Sequence, residues 1–458
     1  MKLTATLADY IVNTKYEDLP IEVVQKTKRQ ILDILGVMFP SSTLEKGCIA
    51  LEKIAKESGG REESTLVGFG GRVPSWMAAF VNGSLCHPMD YDDVIDESPN
   101  HPSSHAFPTA LAVAEKMGNV SGKEFITAMA LGIDLNVRLS AGPKGGLVED
   151  YPWCPITVFG VFCSTAVAGN LLGLSQEEMT NAFGIALDRA SGISKSITAS
   201  DSEIRAIRDG FGNREGVLAA LMAQKGITAY KYAFEEAYKV FYNNNYDPGS
   251  LTSNLGREFM GLKVSLKPWP ACRGTHTYIK AALDIAKENN LSHEEIKKTV
   301  VTVGTFGRDN LCTPLDMKQR PKLSINAKLS LPFIIGVVFG KRRVVIEDFF
   351  PKNLSDPKVL EIASKVEYKF DPQLPKGLNS PGIVEVETKS GRTLSRREDI
   401  PYGHPDNPTS DKELIAKFED CAHYNKKTMS EEKVADLVKL ILEIEKVKNM
   451  GEITQILA

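Results

Sequence analysis

Residues 82–106 read Asn-Gly-Ser-Leu-Cys-His-Pro-Met-Asp-Tyr-Asp-Asp-Val-Ile-Asp-Glu-Ser-Pro-Asn-His-Pro-Ser-Ser-His-Ala, a polar segment between two apolar stretches with helical patterns. The apolar stretches, 73–85 and 106–117, are predicted to be core helices. Three prolines stop helix formation between them: Pro88, Pro99 and Pro102. An irregular segment anchored by helices at both ends is a frequent setting for catalytic side chains. The pattern therefore predicts helical packing with the floor of a pocket at this segment.

The same segment concentrates titratable side chains. It carries three of the seven histidines, His87, His101 and His105, together with five carboxylates. Composition alone equally supports a solvated acidic loop with helix-capping aspartates. A second feature favours a site, because residues 267–276 read Lys-Pro-Trp-Pro-Ala-Cys-Arg-Gly-Thr-His and place His276 beside cations at the start of an apolar helix.

Length and composition limit the class of protein. A chain of 458 residues suggests two domains, and 42% hydrophobic and 25% charged residues are ordinary for a globular protein. The net charge of −3 argues against nucleic acid or an anionic membrane as a partner. Seven scattered cysteines without C-x-x-C spacing argue against a disulfide framework and a zinc site. The N-terminus has no export pattern, and the most apolar run, 331–340, is too short to cross a bilayer, so we expect a cytoplasmic protein.

Periodicity divides the chain into helical and mixed regions. Helical patterns dominate residues 1–265, where Ser-x-x-Glu capping boxes start helices at Ser121 and Ser175. Residues 266–400 mix helices with strands, including a hairpin that turns at Ser390-Gly391. The prediction is a mainly α protein: a large all-helical domain, residues 1–265 completed by 401–458, and a smaller α+β domain, residues 266–400.

Two local features concern helix packing and anion binding. Small residues on a predicted buried helix, residues 159–172, should allow close approach of other helices. Gly212 or Asn213 is expected to start a helix whose N-terminal amides, with Arg205 and Arg208 nearby, form an anion site. The alternative is two solvated arginines before a helix.

Several motifs resemble, in order along most of the chain, the MmgE/PrpD family. They are Asn82-Gly83, His87-x-Met-Asp90-Tyr-Asp92-Asp93, His101-Pro-Ser103, Phe159-Gly160, Lys267-Pro-Trp-Pro-x-Cys272-x-x-x-His276 and Ala327-Lys-Leu-Ser330-Leu-Pro-Phe333. The family includes 2-methylcitrate dehydratase, cis-aconitate decarboxylase and iminodisuccinate epimerase. The resemblance implies a helical domain with a smaller α+β lid, a homodimer, an active site in the cleft between the domains, and no metal or other cofactor.

A substrate with two or three carboxylates sets clear chemical needs. Loss of water, carbon dioxide or a proton next to a carboxylate builds negative charge, so the site must supply cations and a base that works near neutral pH. Histidine, with an ordinary pKa of about 6.5, meets the second need. The resemblance implies His101 and His276 as acid and base, Asp90 as an orienting or proton-transferring group, and Lys267 as a positive charge. The residues predicted to bind substrate are Arg205, Arg208, Asp93, Ser103 and Arg273.

Two other kinds of site remain open. His87, Asp90, His101 and His105 could supply ligands to a metal ion, although their spacing is broken by prolines. Cys272, four residues before His276, could act as a nucleophile, although most such cysteines are simply packed.

The sequence also departs from the family pattern. Arg205-Ala-Ile-Arg208 stands where family members commonly have Lys-x-x-His, and arginine does not readily exchange a proton. Val94 stands where a threonine is common, which removes a polar contact to substrate. These changes suggest a substrate or reaction that differs from those of the best-known members.

These observations predict a cofactor-free lyase that acts on a small di- or tricarboxylate, with dehydration through a carbanion-like intermediate as the first choice. Decarboxylation of the cis-aconitate type and epimerisation or isomerisation of a dicarboxylate are the alternatives within this class. The alternative from a different class is a non-catalytic protein that binds an anionic metabolite.

Overall fold

The computed structural model describes residues 2–98, 100–143, 152–195, 202–378 and 380–457. Pro99 and residues 196–201, which precede the predicted anion site, lie outside the described residues. None of the described helices combines the length and the apolar character needed to cross a bilayer.

Helices account for most of the described chain. In chain order they are α1 (Leu3–Asn13), α2 (Ile21–Leu44), α3 (Lys46–Ser58), α4 (Ser75–Ser84), α5 (Pro102–Met117), α6 (Gly122–Ala141), α7 (Pro155–Leu171), α8 (Gln176–Arg189), α9 (Ile204–Gln224), α10 (Ala233–Tyr242), α11 (Pro248–Thr252), α12 (His276–Glu288), α13 (Leu315–Gln319), α14 (Ser324–Lys328), α15 (Leu331–Lys341), α16 (Pro357–Ala363), α17 (Asp411–Ala422), α18 (Glu431–Leu442) and α19 (Gly451–Leu457). The strands are β1 (Ser64–Thr65), β2 (Arg72–Val73), β3 (Ile296–Val303), β4 (Val366–Phe370), β5 (Gly382–Thr388) and β6 (Thr393–Glu398).

The chain forms two compact units. Unit 1 consists of Met1–Pro88, Asp92–Val264 and Ser410–Ala458, and unit 2 consists of Met89–Tyr91 and Ser265–Thr409. Within its described residues, unit 1 is helical apart from the short antiparallel pair β1–β2, whereas unit 2 carries a four-stranded sheet. The predicted fold class, mainly α with a smaller α+β part, is confirmed.

Local sequence signals explain where the helices of unit 1 begin. Ser121 accepts a hydrogen bond from the amide of Glu124, whose carboxylate accepts one from the Ser121 amide at 2.7 Å. Ser175 and Glu178 form the same reciprocal pair. Both predicted capping boxes are confirmed, because each satisfies two amides that a helix start leaves without intrahelical partners.

Helix α7 lies at the centre of unit 1 and packs against α5, α6, α8 and α9. Small residues make this packing close. A Cβ atom added to Gly216 of α9 would lie 2.4 Å from the Cβ of Ser164 and 2.7 Å from the amide nitrogen of Thr165. The packing role predicted for the small residues of this helix is confirmed.

One predicted helix start is wrong. Helix α9 begins at Ile204, so Gly212 and Asn213 lie in its interior and their amides form no N-terminal anion site. The glycines in this helix serve close packing instead of starting it. A Cβ on Gly210 would lie 2.1 Å from Ser84 Oγ and 2.3 Å from the carbonyl oxygen of Phe80, both on α4.

The sheet of unit 2 has the order β4-β3-β5-β6. Strand β4 is parallel to β3, whereas β5 is antiparallel to both β3 and β6, with Val301 paired with Val384. The predicted hairpin is confirmed, and Gly391 in its turn has a φ of +84°, a conformation that glycine adopts without strain. Helices α12 and α15 and the buried faces of β3 and β5 share one hydrophobic core.

Candidate active site

The segment between α4 and α5 is buried despite its charge. Asp92 and Asp93 have no exposed surface, and Asp90 and Asp96 are only 2% and 3% exposed. Burial of so many carboxylates requires hydrogen-bond and charge partners. The alternative of a solvated acidic loop is therefore wrong, and the partners define the candidate site.

His101 immediately precedes α5 and is held by two neighbours in unit 1. Its Nδ1 atom lies 2.6 Å from the backbone carbonyl oxygen of Asp93 and 3.1 Å from Oδ2 of Asp92. A carbonyl oxygen can only accept, so Nδ1 carries a proton and donates it. This assignment leaves Nε2 as the nitrogen for proton exchange, and the described residues place no hydrogen-bond partner on it. His101 is 7% exposed, whereas His87, His105 and His276 are fully buried.

His87 occupies the other side of Asp92. Its Nδ1 lies 3.1 Å from Oδ2 of Asp92, and its Nε2 lies 3.3 Å from an Nη2 atom of Arg208. Burial, opposed by Asp92 and aided by Arg208, lowers the pKa of His87 to about 4. His87 is therefore neutral at neutral pH.

Arg208 extends the network to Asp209 on the same helix. Its Nε donates to Oδ1 of Asp209 at 3.2 Å, and the Ser104 hydroxyl donates to Oδ2 at 2.8 Å. Burial alone would raise the pKa of Asp209, but Arg208 and the nearby histidines hold it below the ordinary value. His105 Nε2 lies 3.9 Å from Oδ1 of Asp209, and burial lowers the pKa of this imidazole.

Asp93 and Ser103, both predicted to bind substrate, contact each other. The Ser103 amide donates to Oδ1 of Asp93 at 3.2 Å, and the Ser103 hydroxyl donates to Oδ2. Both residues are fully buried. Burial raises the pKa of Asp93 to about 6, partly offset by Ser103. These contacts fix the start of α5, and a contact of either residue with substrate stays a prediction.

Asp90 and Lys267 form a buried ion pair in unit 2. Lys267 Nζ lies 2.6 Å from Oδ1 of Asp90 and 3.1 Å from its backbone carbonyl oxygen. Asp90 has a φ of +51°, which is uncommon for a residue other than glycine and often marks a functional position. Asp90 is thus paired with Lys267, and its role as an orienting or proton-transferring group stays a prediction.

His276 begins α12 and is also held by unit 2. Its Nε2 lies 3.1 Å from the carbonyl oxygen of Ala271, so Nε2 is the protonated nitrogen, and Nδ1 lies 3.5 Å from a guanidinium nitrogen of Arg273. Burial, with Arg273 and Lys267, holds the pKa of His276 well below its ordinary value. Arg273 also donates to the Tyr402 carbonyl oxygen and to Ser265 Oγ. These contacts favour a neutral, oriented His276, and its predicted acid–base role stays untested.

The metal hypothesis can be compared with these proton positions. His87, Asp92 and His101 offer three ligand atoms within 4.8 Å of one another. However, both Nδ1 atoms carry protons that are donated to oxygen, and a metal ligand must be the unprotonated nitrogen. The arrangement therefore fits hydrogen bonding better than metal coordination. Cys272, the nucleophile alternative, belongs to the hydrophobic core of unit 2.

A cavity of about 400 Å³ in unit 1 reaches Arg208. Arg189 and Arg214 also line it, together with Asp188 and Glu215. Arg205 lies one turn before Arg208 on α9 and is not among the lining residues. Of the two arginines predicted to bind an anion, Arg208 lines this cavity and Arg205 does not.

The sequence predicts no role for Asp92 or Asp209, and it presents His87 only as an alternative metal ligand, although these three residues connect the network. Their sequence context contains a usable signal, since Asp209 directly follows Arg208 and Asp92 stands in an acidic pair between His87 and His101. Their shared contacts depend on α5 and α9 lying side by side, which local patterns do not reveal.

The chain matches known family models and is similar to named proteins over nearly its whole length. Residues 5–248 match the family model of the MmgE/PrpD N-terminal domain, and residues 269–443 match that of the MmgE/PrpD C-terminal domain. The chain is 28% identical to a cis-aconitate decarboxylase of Homo sapiens, over 99% of this chain and 94% of that protein. It is 26% identical to a cis-aconitate decarboxylase of Mus musculus, over 99% of this chain and 93% of the relative. It is 23% identical to a cis-aconitate decarboxylase of Aspergillus terreus, over 99% and 96%. Because the two family models together span most of its length, this chain belongs to the MmgE/PrpD family.

Proposed function

We propose that the protein is a lyase that acts on a small tricarboxylate, and that it releases carbon dioxide from cis-aconitate or a close analogue. Relatives that align over nearly the whole chain are named as decarboxylases of this compound. The observation that carries the proposal is the arrangement of His101, whose Nδ1 is fixed by the Asp93 carbonyl oxygen while Nε2 has no partner among the described residues. Dehydration, the first choice from sequence alone, would use the same nitrogen, Nε2 of His101. The experiment described below therefore tests for both reactions.

Decarboxylation requires the protein to stabilise negative charge and to donate one proton. When the bond to a carboxylate carbon breaks, carbon dioxide leaves and the electron pair stays on the substrate carbon, where a neighbouring carboxylate delocalises it. A proton from Nε2 of His101 then forms the new carbon–hydrogen bond. Asp92, 3.1 Å from Nδ1, balances the positive charge that His101 carries before it gives up this proton.

Each unit contributes a cation near its candidate residues. Arg208 borders the cavity in unit 1, and Lys267 is paired with Asp90 in unit 2. The family resemblance implies that Lys267 and Asp90 serve the same reaction as His101. The roles of Arg205, Arg273 and His276 in that reaction are predictions of the family resemblance.

The test uses the purified full chain with cis-aconitate and, in a separate arm, citrate-like hydroxy acids. Carbon dioxide release and proton NMR of the mixture would detect decarboxylation, and a new alkene signal from a hydroxy acid would detect dehydration. We expect His101→Ala to lower kcat by about 10³-fold, the scale of a lost general acid. His423→Ala, at an exposed histidine of the same unit, serves as the matched control and should keep wild-type kcat.

Two results would contradict the proposal. One is full activity of a folded His101→Ala variant. The other is thermal stabilisation of the wild-type protein by these tricarboxylates with no conversion of any of them, which would instead support a non-catalytic binder.

A further inference from the structure

The geometry points to His87 as a positioning residue that acts on His101 through Asp92, with Arg208 holding the His87 ring in the orientation that donates to Asp92. The expected effect of His87 on turnover rests on the proposed function. The proton positions on the rings of His87 and His101 do not depend on it. The chain of contacts runs from Arg208 to His87, then to Asp92, then to His101.

The first step is the proton position on His87. A guanidinium group has only hydrogen-bond donors, so Nε2 of His87, 3.3 Å from Arg208, must be the acceptor. Nδ1 therefore carries the proton of the neutral ring. It lies 3.1 and 3.2 Å from the two carboxylate oxygens of Asp92 and donates to them.

The second step is the shared carboxylate. Oδ2 of Asp92 lies 3.1 Å from Nδ1 of His87 and 3.1 Å from Nδ1 of His101. The two rings lie close together, with centroids 4.6 Å apart and planes inclined by 57°. His87 and Asp92 are both fully buried, so the His87 contact holds in place the same carboxylate oxygen that His101 contacts. A fixed carboxylate keeps the Nδ1 proton of His101 in place and leaves Nε2 for the substrate.

The third step is the anchoring of Arg208, at the end of the contact chain opposite His101. Arg208 is 4% exposed and donates to Asp209, which also accepts from the Ser104 hydroxyl. Ser104 lies on α5 and Arg208 on α9, so two helices hold the network. The low pKa of His87, set by burial and Arg208, agrees with a ring that stays neutral and keeps a single donated proton.

A pair of variants separates positioning from simple packing. His87→Asn keeps an N–H donor near the position of Nδ1, whereas His87→Leu fills similar space without a donor. With cis-aconitate as the probe, we expect His87→Leu to lower kcat about 30-fold with KM within about twofold of wild type. His87→Asn should recover most of that loss. Wild-type kcat in His87→Leu, or equal impairment of the two variants, would overturn the inference.

A matched control removes a buried donor elsewhere in unit 1. Tyr10 donates to the buried carboxylate of Asp134 at 3.0 Å. Tyr10→Phe should lower the free energy of unfolding, as His87→Leu does, but leave kcat and KM unchanged. If Tyr10→Phe lowers kcat as much as His87→Leu, the effect reflects general destabilisation and the inference is wrong.

A measurement without substrate keeps the inference independent of turnover. Nitrogen NMR of the ¹⁵N-histidine-labelled wild-type protein, with signals assigned from His101→Ala and His87→Asn, reports which ring nitrogen is protonated. At neutral pH we expect a protonated Nδ1 and a bare Nε2 on neutral His87, and a protonated Nδ1 on His101. A proton on Nε2 of neutral His87 would refute the contact chain even if the protein proved to be an active lyase. The expected pattern in a protein that converts no tricarboxylate would refute only the proposed function.

Discussion

The residue with the clearest expected pH dependence is Asp93, a fully buried carboxyl group that contacts Ser103. Burial raises its pKa from 3.8 to about 6, so the folded state binds this proton more tightly than the unfolded state. The free energy of unfolding therefore falls, through this group, as the pH rises from about 4 to about 6, and the full loss persists above that range.

Asp93→Asn removes this dependence while retaining an acceptor for the Ser103 amide. Relative to wild type, we expect the free energy of unfolding of the variant to be higher by about 2 kcal/mol more at about pH 8 than at about pH 4.5. Chemical denaturation of both proteins at the two pH values measures the difference. An equal change at both pH values would show that Asp93 has an ordinary pKa in the folded protein.

At the scale of elements, helices α7 and α9 pack closely at Gly216. A methyl group on Gly216 would meet the backbone nitrogen of Thr165 at 2.7 Å, and backbone atoms cannot rotate away as a side chain can. We expect Gly216→Ala to lower the free energy of unfolding by about 2–3 kcal/mol, in the range of overpacked cores.

Gly377 offers the matched substitution in an exposed position. An added Cβ there meets no heavy atom within 4 Å, and the residue does not need a positive φ. Gly377→Ala should therefore leave the denaturation midpoint unchanged. A Gly216→Ala variant as stable as this control would mean that α7 and α9 can separate at little cost.

The helix that sequence reasoning placed least well is α9. The sequence predicts a helix start at Gly212 or Asn213, whereas the helix begins at Ile204 and holds glycines in its interior, although glycine weakens a helix in water. Tertiary packing reversed that local preference, since Gly210 sits against α4 where a larger residue would collide with Phe80 and Ser84. The capping boxes at Ser121 and Ser175 were predicted correctly because their hydrogen bonds are made within four residues.

At the scale of the whole molecule, the C-terminal segment belongs to unit 1 along with the N-terminal helices. Lys417 of α17 pairs with Asp33 of α2 at 2.7 Å, and both side chains are buried. We expect Lys417→Met to cost about 3–5 kcal/mol of unfolding free energy, because it leaves a buried carboxylate without this partner. Adding Asp33→Asn should restore much of the loss.

An exposed ion pair in the same segment provides the comparison for denaturation experiments. Lys446 and Glu443 lie 3.0 Å apart with most of the lysine side chain exposed. Lys446→Met should change the free energy of unfolding by less than about 0.5 kcal/mol. Equal effects of the two lysine substitutions would show that the Lys417 pair contributes no more than a surface contact.

The predicted homodimer is a separate proposal that rests on the family resemblance.

The sequence by itself determined the fold class, the family, the capped helices, the hairpin and the short list of titratable residues. Each of these depends on spacing along the chain or on contacts within a few residues. Only the tertiary structure decided which charges meet. Asp92 lies between His87 and His101, Arg208 is committed to His87 and Asp209, and His276 is buried with both ring nitrogens near partners. Such pairings depend on how α5 packs beside α9 and on how unit 2 folds around Lys267, and neither is encoded in a local pattern.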